Sequence, residues 1–136
     1  MINHQLFLGL GSNLGDRAEN IRKAVLLIQE RVGEVVRQSS LIETEPWGFE
    51  SDHCFLNGVI LCETTLTPRQ VLRATQKIER ELGRKIKTTS SYADRPIDID
   101  ILLYDDLTVN EPDLKIPHPL MHERDFVMIP LREIRH

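Results

Sequence analysis

The 136-residue chain is poor in several residue types, and each shortage excludes a class of protein. Its 17 basic residues are outnumbered by 21 acidic ones, whereas a general nucleic-acid binder usually carries a basic excess. No apolar run reaches the ~20 residues of a membrane-spanning helix, and the first residues lack the basic start of a secretory signal peptide. We therefore expect a cytoplasmic protein that binds neither nucleic acid nor membrane, although net charge says little about a single cleft.

Cysteine is scarce as well. The two cysteines, Cys54 and Cys62, fall in one predicted strand region at an even separation, so they stand apart along the strand and cannot easily bridge. Free thiols are therefore favoured over a disulfide. A chain of this length that is 40% hydrophobic and 28% charged can form a core without such a staple, and we expect one domain over residues 1–136.

The apolar periodicity predicts alternating strands and helices. Strands are expected at 5–10, 34–44, 54–64 and 97–104, and helices at 16–33 and 67–83. Each helix has capping residues at its start and a glycine at its end: Asp16 with Glu19 before Gly33, and Thr67 with Pro68 and Gln70 before Gly83. Their core faces should carry Ile21, Val25, Ile28 and Val32 in the first helix, and Val71, Leu72, Thr75, Ile78 and Leu82 in the second.

The order β-α-β-β-α-β predicts a ferredoxin-like α+β fold, an antiparallel sheet with two helices on one face. The other face would stay open, and long polar loops would build a catalytic site there. The tail after Leu107 predicts only short strands and a final turn. GLGSNLGD, at 9–16, predicts a tight turn around Asn13, because it lacks the lysine and the spacing of a phosphate-binding P-loop.

The segment RPIDIDILLYDD, at 95–106, places charged residues inside an apolar strand. Because side chains alternate along a strand, Asp98 and Asp100 should point away from the core, with α-carbons ~6–7 Å apart. The residues on the core side should be Ile97, Ile99, Ile101 and Leu103. The strand is thus expected to be half core and half functional site.

Two carboxylates this close repel each other unless a cation or a proton lies between them. One interpretation is a solvated strand face that pairs with a neighbouring Arg or Lys. The other is a magnesium site, since magnesium prefers one or two carboxylates, waters and phosphate oxygens. Cationic and histidine side chains on both sides of the strand favour magnesium with a polyphosphate: Arg84, Lys85, Lys87, Arg95, His118, His122 and Arg124.

Several blocks in order along nearly the whole chain resemble one family, the 6-hydroxymethyl-7,8-dihydropterin pyrophosphokinases of folate biosynthesis. The blocks are GLGSNLGD, TEPWG, FLNGV, QKIERELGR, DRPIDIDILLY and IPHPLMHERDFVMIPL. The combination of R-x-I-D-I-D-I-L with P-H-P-x-M-x-x-R-x-F is highly specific. The resemblance implies a ferredoxin-like monomer that transfers the β,γ-diphosphate of ATP to the pterin's hydroxymethyl group and releases AMP.

The resemblance also implies roles for individual residues. Asp98 and Asp100 would ligate two Mg²⁺ ions, and the catalytic set would be Asp98, Asp100, Arg84 and Arg95. The pterin would contact Thr44, Pro46, Trp47, Phe55, Asn57 and Phe126. ATP would contact Gln76, Glu79, Arg84, Tyr92, Arg95, Ile101, His118 and Arg124. No residue stands out as a general base.

The loop before the aspartates departs from the family pattern. SSYADR stands where members often have R-W-G-P-R, so Tyr92 would replace a tryptophan. Asp113 and Lys115 stand where some members have an arginine and a threonine. The polar loop at 87–95 would close over both substrates and keep water from the phosphates.

Two other functions use the same features. A divalent-metal phosphohydrolase would use both aspartates with water as the nucleophile. An RNA-recognition domain also has the βαββαβ order, but it would need aromatics on its central strands and a basic surface. With 5% aromatics and a net charge of −4, the RNA-binding alternative is disfavoured.

Overall fold

A computed structural model describes residues 3–45, 54–83 and 96–135. The elements are, in chain order, β1 (His4–Ser12), α1 (Arg17–Arg31), β2 (Glu34–Gln38), β3 (Ile42–Thr44), β4 (Phe55–Thr64), α2 (Pro68–Glu81), β5 (Asp98–Tyr104), β6 (Val109–Glu111), β7 (Leu114–Ile116), a 3-10 turn (Met121–Glu123) and α3 (Asp125–Ile134). None of the helices in these ranges is long and apolar enough to cross a membrane.

The first two helices begin and end where the sequence predicts. The Asp16 carboxylate accepts a hydrogen bond from the Glu19 N–H at 3.1 Å. Thr67 and Gln70 form a complete capping box at the start of α2. The next residue after the C-cap of α2 is Gly83, with a φ of 108° that a side chain would strain.

The main sheet has the order β2-β4-β1-β5, and every neighbouring pair is antiparallel. The short strand β3 also pairs with β4, on the same edge of β4 as β2. With α1 and α2 on one face, this is the predicted ferredoxin-like α+β arrangement. The strand predicted at 34–44 is divided into β2 and β3. The turn expected at 9–16 begins later than predicted, because β1 continues through Gly11 to Ser12.

The helix-side core contains the residues that periodicity assigns to it. Ile21 and Ile28 of α1, and Val71 and Ile78 of α2, are buried against the sheet. The inward residues of β1 and β5 meet them there, and Ile99 is one of these. Burial of this apolar surface is the main favourable term for the fold.

The opposite face of the sheet is partly covered, and here the prediction of a final turn was wrong. The tail forms helix α3, whose apolar residues Val127, Leu131 and Ile134 pack on Phe7 and on the β4 strand. Their spacing gives the helix an apolar stripe. Burial of this stripe outweighs the hydrogen bond lost at the proline inside the helix.

A β-bulge in β5 alters the predicted alternation. Consecutive residues of β1 pair with Leu103 and then with Ile101, so Leu102 is the extra residue. Beyond the bulge the faces exchange. The prediction that Leu103 joins the helix-side core was wrong. Leu103 packs with the cluster that Phe7 and Leu102 form with the apolar residues of α3, called the α3 cluster below. Tyr104 instead belongs to the helix-side core.

Both cysteines are free thiols, as predicted. Cys62 is buried in β4, and burial raises the pKa of its thiol to about 12. Because the reactive species is the thiolate, Cys62 is an inert core residue.

Gly33 lies where α1 turns into β2 and passes close to the backbone of β4. A Cβ at this position would lie 2.2 Å from the carbonyl oxygen of Glu63. The neighbouring Val32 carbonyl accepts a 2.6 Å hydrogen bond from the Thr64 hydroxyl, which holds the two segments together. The close approach therefore requires a residue without a side chain.

We expect Gly33→Ala to lower the free energy of unfolding by about 2–3 kcal/mol or more, because the methyl group collides with backbone that cannot rotate away. Urea unfolding followed by circular dichroism measures the change. Glu34→Ala, at the exposed neighbouring position, is the control and should cost less than about 0.5 kcal/mol. Equal stability of the two variants would contradict the close-packing account.

Candidate active site

The sheet register places both aspartates in rows that cross β1 at glycines. Asp98 is opposite Gly11, and Gly11 is opposite Asn57 of β4. Asp100 is opposite Gly9 in the same way. Residues directly opposite in an antiparallel pair have their side chains on the same side of the sheet. The carboxylates and the Asn57 amide therefore share one face, and no β1 side chain separates Asp98 from Asn57.

This face is turned away from α1 and α2. Ile97, Ile99 and Ile101 lie in the helix-side core, whereas Asp98 and Asp100 are only partly buried. The alternation predicted for residues 97–101 is thereby confirmed. The strand is core on one side and presents two carboxylates on the other.

Gly11 leaves a gap in the row of β1 side chains beside Asp98. A Cβ built on Gly11 would lie 2.8 Å from Asn57 Oδ1 and 3.4 Å from Phe55 Cδ1. The side chains of Asn57 and Phe55 therefore extend over the buried glycine and fill this gap. An amide oxygen and an aromatic ring at one position suit a flat, polar heterocycle, which can stack on the ring and hydrogen-bond with the amide.

The Asn57 amide is held in place by Thr44. Asn57 Nδ2 donates a 2.6 Å hydrogen bond to Thr44 Oγ1, and Asn57 is only 5% exposed. The short strand β3 brings Thr44 opposite Phe55. Three of the residues predicted to bind the pterin are therefore brought together at one end of the β3–β4 pair.

Two further predicted residues lie near the start of α3. Phe126 is partly buried and packs against the α3 cluster. The Cζ atom of Arg124 lies 5.4 Å from the centre of the Phe126 ring, a cation–π geometry, and Arg124 is 8% exposed. A guanidinium held this way is restricted in orientation, which suits recognition of an anion by a fixed fork.

His118 is fixed to the outer edge of β5. The backbone N–H of His118 donates to the Leu102 carbonyl at 3.0 Å. The ring Nδ1 of His118 accepts from the backbone N–H of Leu120 at 3.3 Å. Burial is the main cause that lowers the pKa of His118, and the positive charge of Arg124 lowers it further, while the negative charge of Asp98 opposes them. The ring is therefore neutral at pH 7. With Nδ1 accepting, Nε2 carries the proton and can donate to an anion.

Glu79, Ile101 and Gln76 lie on the helix side of β5 or close to it. Glu79 is buried, and its Oε2 accepts a 2.8 Å hydrogen bond from the N–H of Ile99, the residue between the two aspartates. Ile101 is in the helix-side core, so its predicted contact with a nucleotide would use its backbone. Gln76 is half-buried on α2. Their nucleotide contacts stay predictions, and Glu79 has a clear structural role at the strand edge.

Five predicted site residues lie outside the described ranges: Pro46, Trp47, Arg84, Tyr92 and Arg95. The loop expected to close over the substrates, at 87–95, lies outside them too. Their assignments therefore stay predictions that rest on the motifs.

The donor atoms of the aspartate pair fit magnesium. Within the part of the chain that the structure describes, no group of three or more His, Cys, Asp or Glu residues could hold a metal ion. Asp98 and Asp100 supply two carboxylates on a partly exposed face. Magnesium is usually bound by one or two carboxylates and takes its remaining ligands from water and substrate phosphates. The site matches a metal that arrives with a polyphosphate.

The paired glycines of β1 lie at the candidate site, although their motif predicts only a turn. Gly9 and Gly11 are opposite the two aspartates in the register of β1 and β5. A usable signal was present, because two glycines at positions i and i+2 of a strand free one face of side chains. Arg17 belongs to no motif that predicts the site, yet its Nη1 contacts the carbonyl oxygen of Cys54 next to Phe55.

In a magnesium-free sample, the His118 ring should titrate below its ordinary pKa of 6.5. Arg124→Gln should raise this pKa and Asp98→Asn should lower it further, because the two charges act in opposite directions. The stability linked to this residue is present above pH 6.5 and is lost as the pH falls through the lower, folded-state pKa. Two-dimensional NMR of the histidine rings measures the pKa, and an unshifted value would contradict the geometry.

Comparison with known proteins identifies a family. The family model described as 7,8-dihydro-6-hydroxymethylpterin-pyrophosphokinase (HPPK) matches residues 7–136. The 2-amino-4-hydroxy-6-hydroxymethyldihydropteridine pyrophosphokinase of Porphyromonas gingivalis is 50% identical over 131 residues, which are 95% of this chain and 89% of that protein. The Bacillus subtilis protein of the same name is 40% identical over 134 residues, 98% of this chain and 79% of that protein.

A solved structure supports the same fold. The crystal structure of a Plasmodium falciparum HPPK-DHPS triple mutant superposes with a TM-score of 0.78 at 18% identity. The match covers 97% of this chain and 40% of that longer one, and at this identity it indicates the fold alone. On the strength of the matched family model and of relatives that are 40–50% identical, the chain belongs to the 7,8-dihydro-6-hydroxymethylpterin-pyrophosphokinase family.

Proposed function

We propose that the open end of this sheet face is the active site, where the pyrophosphoryl group of ATP is transferred to the hydroxymethyl group of 6-hydroxymethyl-7,8-dihydropterin with release of AMP. The observation that carries the proposal is the row Asp98–Gly11–Asn57. It places a carboxylate suited to a metal-bound phosphate next to a pocket suited to a flat heterocycle. Only a glycine separates them, so the two substrates can meet.

On the pterin side, Asn57 provides the polar contact and Phe55 the stacking surface. Thr44 accepts from the Asn57 amide and thereby directs the amide oxygen toward the gap over Gly11. Phe126 would complete the pocket from α3, and Pro46 and Trp47 would border it from the 46–53 segment. A pocket that matches both the face and the edge of the heterocycle rejects rings without the matching groups, since a buried amide would be left unpaired.

On the ATP side, Asp98 and Asp100 would hold two Mg²⁺ ions that come with the phosphates. When bound, magnesium offsets charge on the phosphate oxygens and helps keep the attacking and leaving oxygens in line. The neutral His118 can donate from Nε2, and Arg124 can offer its guanidinium, to a phosphate oxygen. Arg84 and Arg95 would stabilise the charge that develops during transfer.

The other predicted nucleotide contacts extend this side of the site. Gln76 and Glu79 on α2 and the backbone of Ile101 would border the nucleotide, and Tyr92 would close over it as the loop aromatic. Glu79 would act on the aspartates as well, because its hydrogen bond to Ile99 fixes the backbone between them. Exclusion of water by the loop would favour transfer over hydrolysis.

We also propose that residues 1–136 act as a single-domain monomer in the cytoplasm. Both hydrophobic clusters pack on the two faces of one sheet, which supports one cooperative unit. Size-exclusion chromatography with light scattering would test the monomer.

Incubation with Mg²⁺ and ATP tests the reaction itself. Release of AMP that depends on the pterin supports pyrophosphoryl transfer. Release of phosphate without the pterin would instead identify a phosphohydrolase and overturn the proposal.

We expect Asp98→Asn and Asp100→Asn each to lower kcat by about two orders of magnitude or more, because each removes a carboxylate that would hold the magnesium bound to the phosphates. The free energy of unfolding should change by less than about 1 kcal/mol, since neither side chain is in the core. Steady-state AMP formation and urea unfolding measure the two effects. Asp106→Asn, at an exposed turn after the same strand, is the matched control. Near-normal activity of either site variant would defeat the metal assignment.

Gly11→Ala should raise the KM for the pterin at least about tenfold, equivalent to about 1.4 kcal/mol, because the new methyl group meets Asn57 Oδ1 at 2.8 Å. The same change at Gly9, where a Cβ would make an ordinary 3.5 Å contact with Leu102, should change this KM far less. Initial rates at saturating ATP provide the comparison. A larger pterin effect from Gly9→Ala would place the pterin elsewhere.

A further inference from the structure

We propose that Arg17 is a positioning residue for the pterin side of the site, a role that rests on the proposed function and deepens it. Arg17 is the first residue of α1, far in sequence from the residues that line the gap. Its Nη1 donates a 2.9 Å hydrogen bond to the carbonyl oxygen of Cys54. Its Nη2 lies 3.5 Å from Oε2 of Glu43. One guanidinium thus connects both strands of the β3–β4 pair at their open end.

Both partners directly precede residues of the site. Cys54 is followed by Phe55, and Glu43 is followed by Thr44, which is opposite Phe55 in the register. Strand β3 has only three residues, and such a short edge segment has few backbone hydrogen bonds to hold it. A side chain that ties this end down therefore fixes the distance between the Thr44 hydroxyl and the aromatic ring.

The start of α1, where Arg17 lies, is anchored to the glycine-containing strand β1. Asp16 caps α1, and Asn20 Nδ2 donates at 2.8 Å to the Leu14 carbonyl and at 3.3 Å to the Ser12 hydroxyl. These contacts join the start of α1 to the end of β1. Arg17 therefore links the start of α1, which Asn20 joins to the end of β1, to the β3–β4 pair.

Of the two contacts, the hydrogen bond from Arg17 to the Cys54 carbonyl is the one expected to position the site. The contact with Glu43 is long, and the Glu43 side chain is 59% exposed, so solvent screens the attraction. A short hydrogen bond from a charged donor to a partly buried carbonyl is stronger and more directional. Loss of the Glu43 charge should therefore have little effect, whereas loss of the guanidinium should release Cys54 and Phe55.

The decisive experiment measures both substrates with the full chain. Arg17→Ala should raise the KM for the pterin about tenfold, while the KM for ATP changes less than about twofold. Arg17→Lys keeps a donor and should recover part of the loss. Glu43→Gln should resemble the wild type. Arg22→Ala is the matched control on α1, since the exposed Arg22 side chain pairs with Glu19 of the same helix.

Thermal unfolding separates positioning from a general structural role. A loss of stability in Arg17→Ala with both KM values equally affected would overturn the proposal, and so would an unchanged pterin KM. If Arg17→Ala does not fold, Arg17→Lys and Glu43→Gln still test the proposal. Pterin kinetics of Arg17→Lys that are identical to the wild type would contradict the proposal. Pterin kinetics of Glu43→Gln that are as impaired as those of Arg17→Lys would contradict it too. Failure of the proposed function looks different, because the wild type itself would then show no pterin-dependent AMP release.

Discussion

The antiparallel register of β5, β1 and β4 is the constraint on which the site depends. It sets Asp98, Gly11 and Asn57 in one row and Asp100 beside Gly9. A slip of one residue would turn every side chain of a strand to the other face. Both carboxylates would then enter the helix-side core, where an unpaired charge is very costly. Burial of the isoleucines of β5 against α1 and α2 therefore also decides where the carboxylates point.

The sheet uses its second face for two purposes. At one end, α3 covers an apolar cluster around Phe7 and Leu102. At the other end, β1 has glycines and β5 has two partly buried carboxylates, so this part of the face is polar and β1 contributes no side chain to it at Gly9 and Gly11. The start of α3 brings Arg124 and Phe126 to this boundary, and a backbone hydrogen bond to Leu102 holds His118 beside it. The α3 helix thus has a structural role and also delivers side chains to the site.

Part of the site was predictable because it depends on local periodicity. The outward direction of Asp98 and Asp100 follows from strand alternation alone, and the caps at Asp16 and Thr67 correctly located both long helices. Prediction failed where long-range packing overrides local preference. The proline in α3 concealed a helix, and the bulge at Leu102 exchanged the faces of the last strand residues. In α3 the proline argues locally against a helix, and in β5 the regular alternation of side chains gives no sign of a bulge.

The sequence by itself determined the alternation of strands and helices up to β5, the fold class, the carboxylate pair and the family-specific motifs, because each depends on spacing along the chain. Only the tertiary structure decided which residues meet across strands. The contact of Thr44 with Asn57, the gap over Gly11, the opposed charges around His118 and the bond from Arg17 to Cys54 all join segments distant in sequence. Such pairs depend on the register and on helix docking, which emerge only when the whole core is packed.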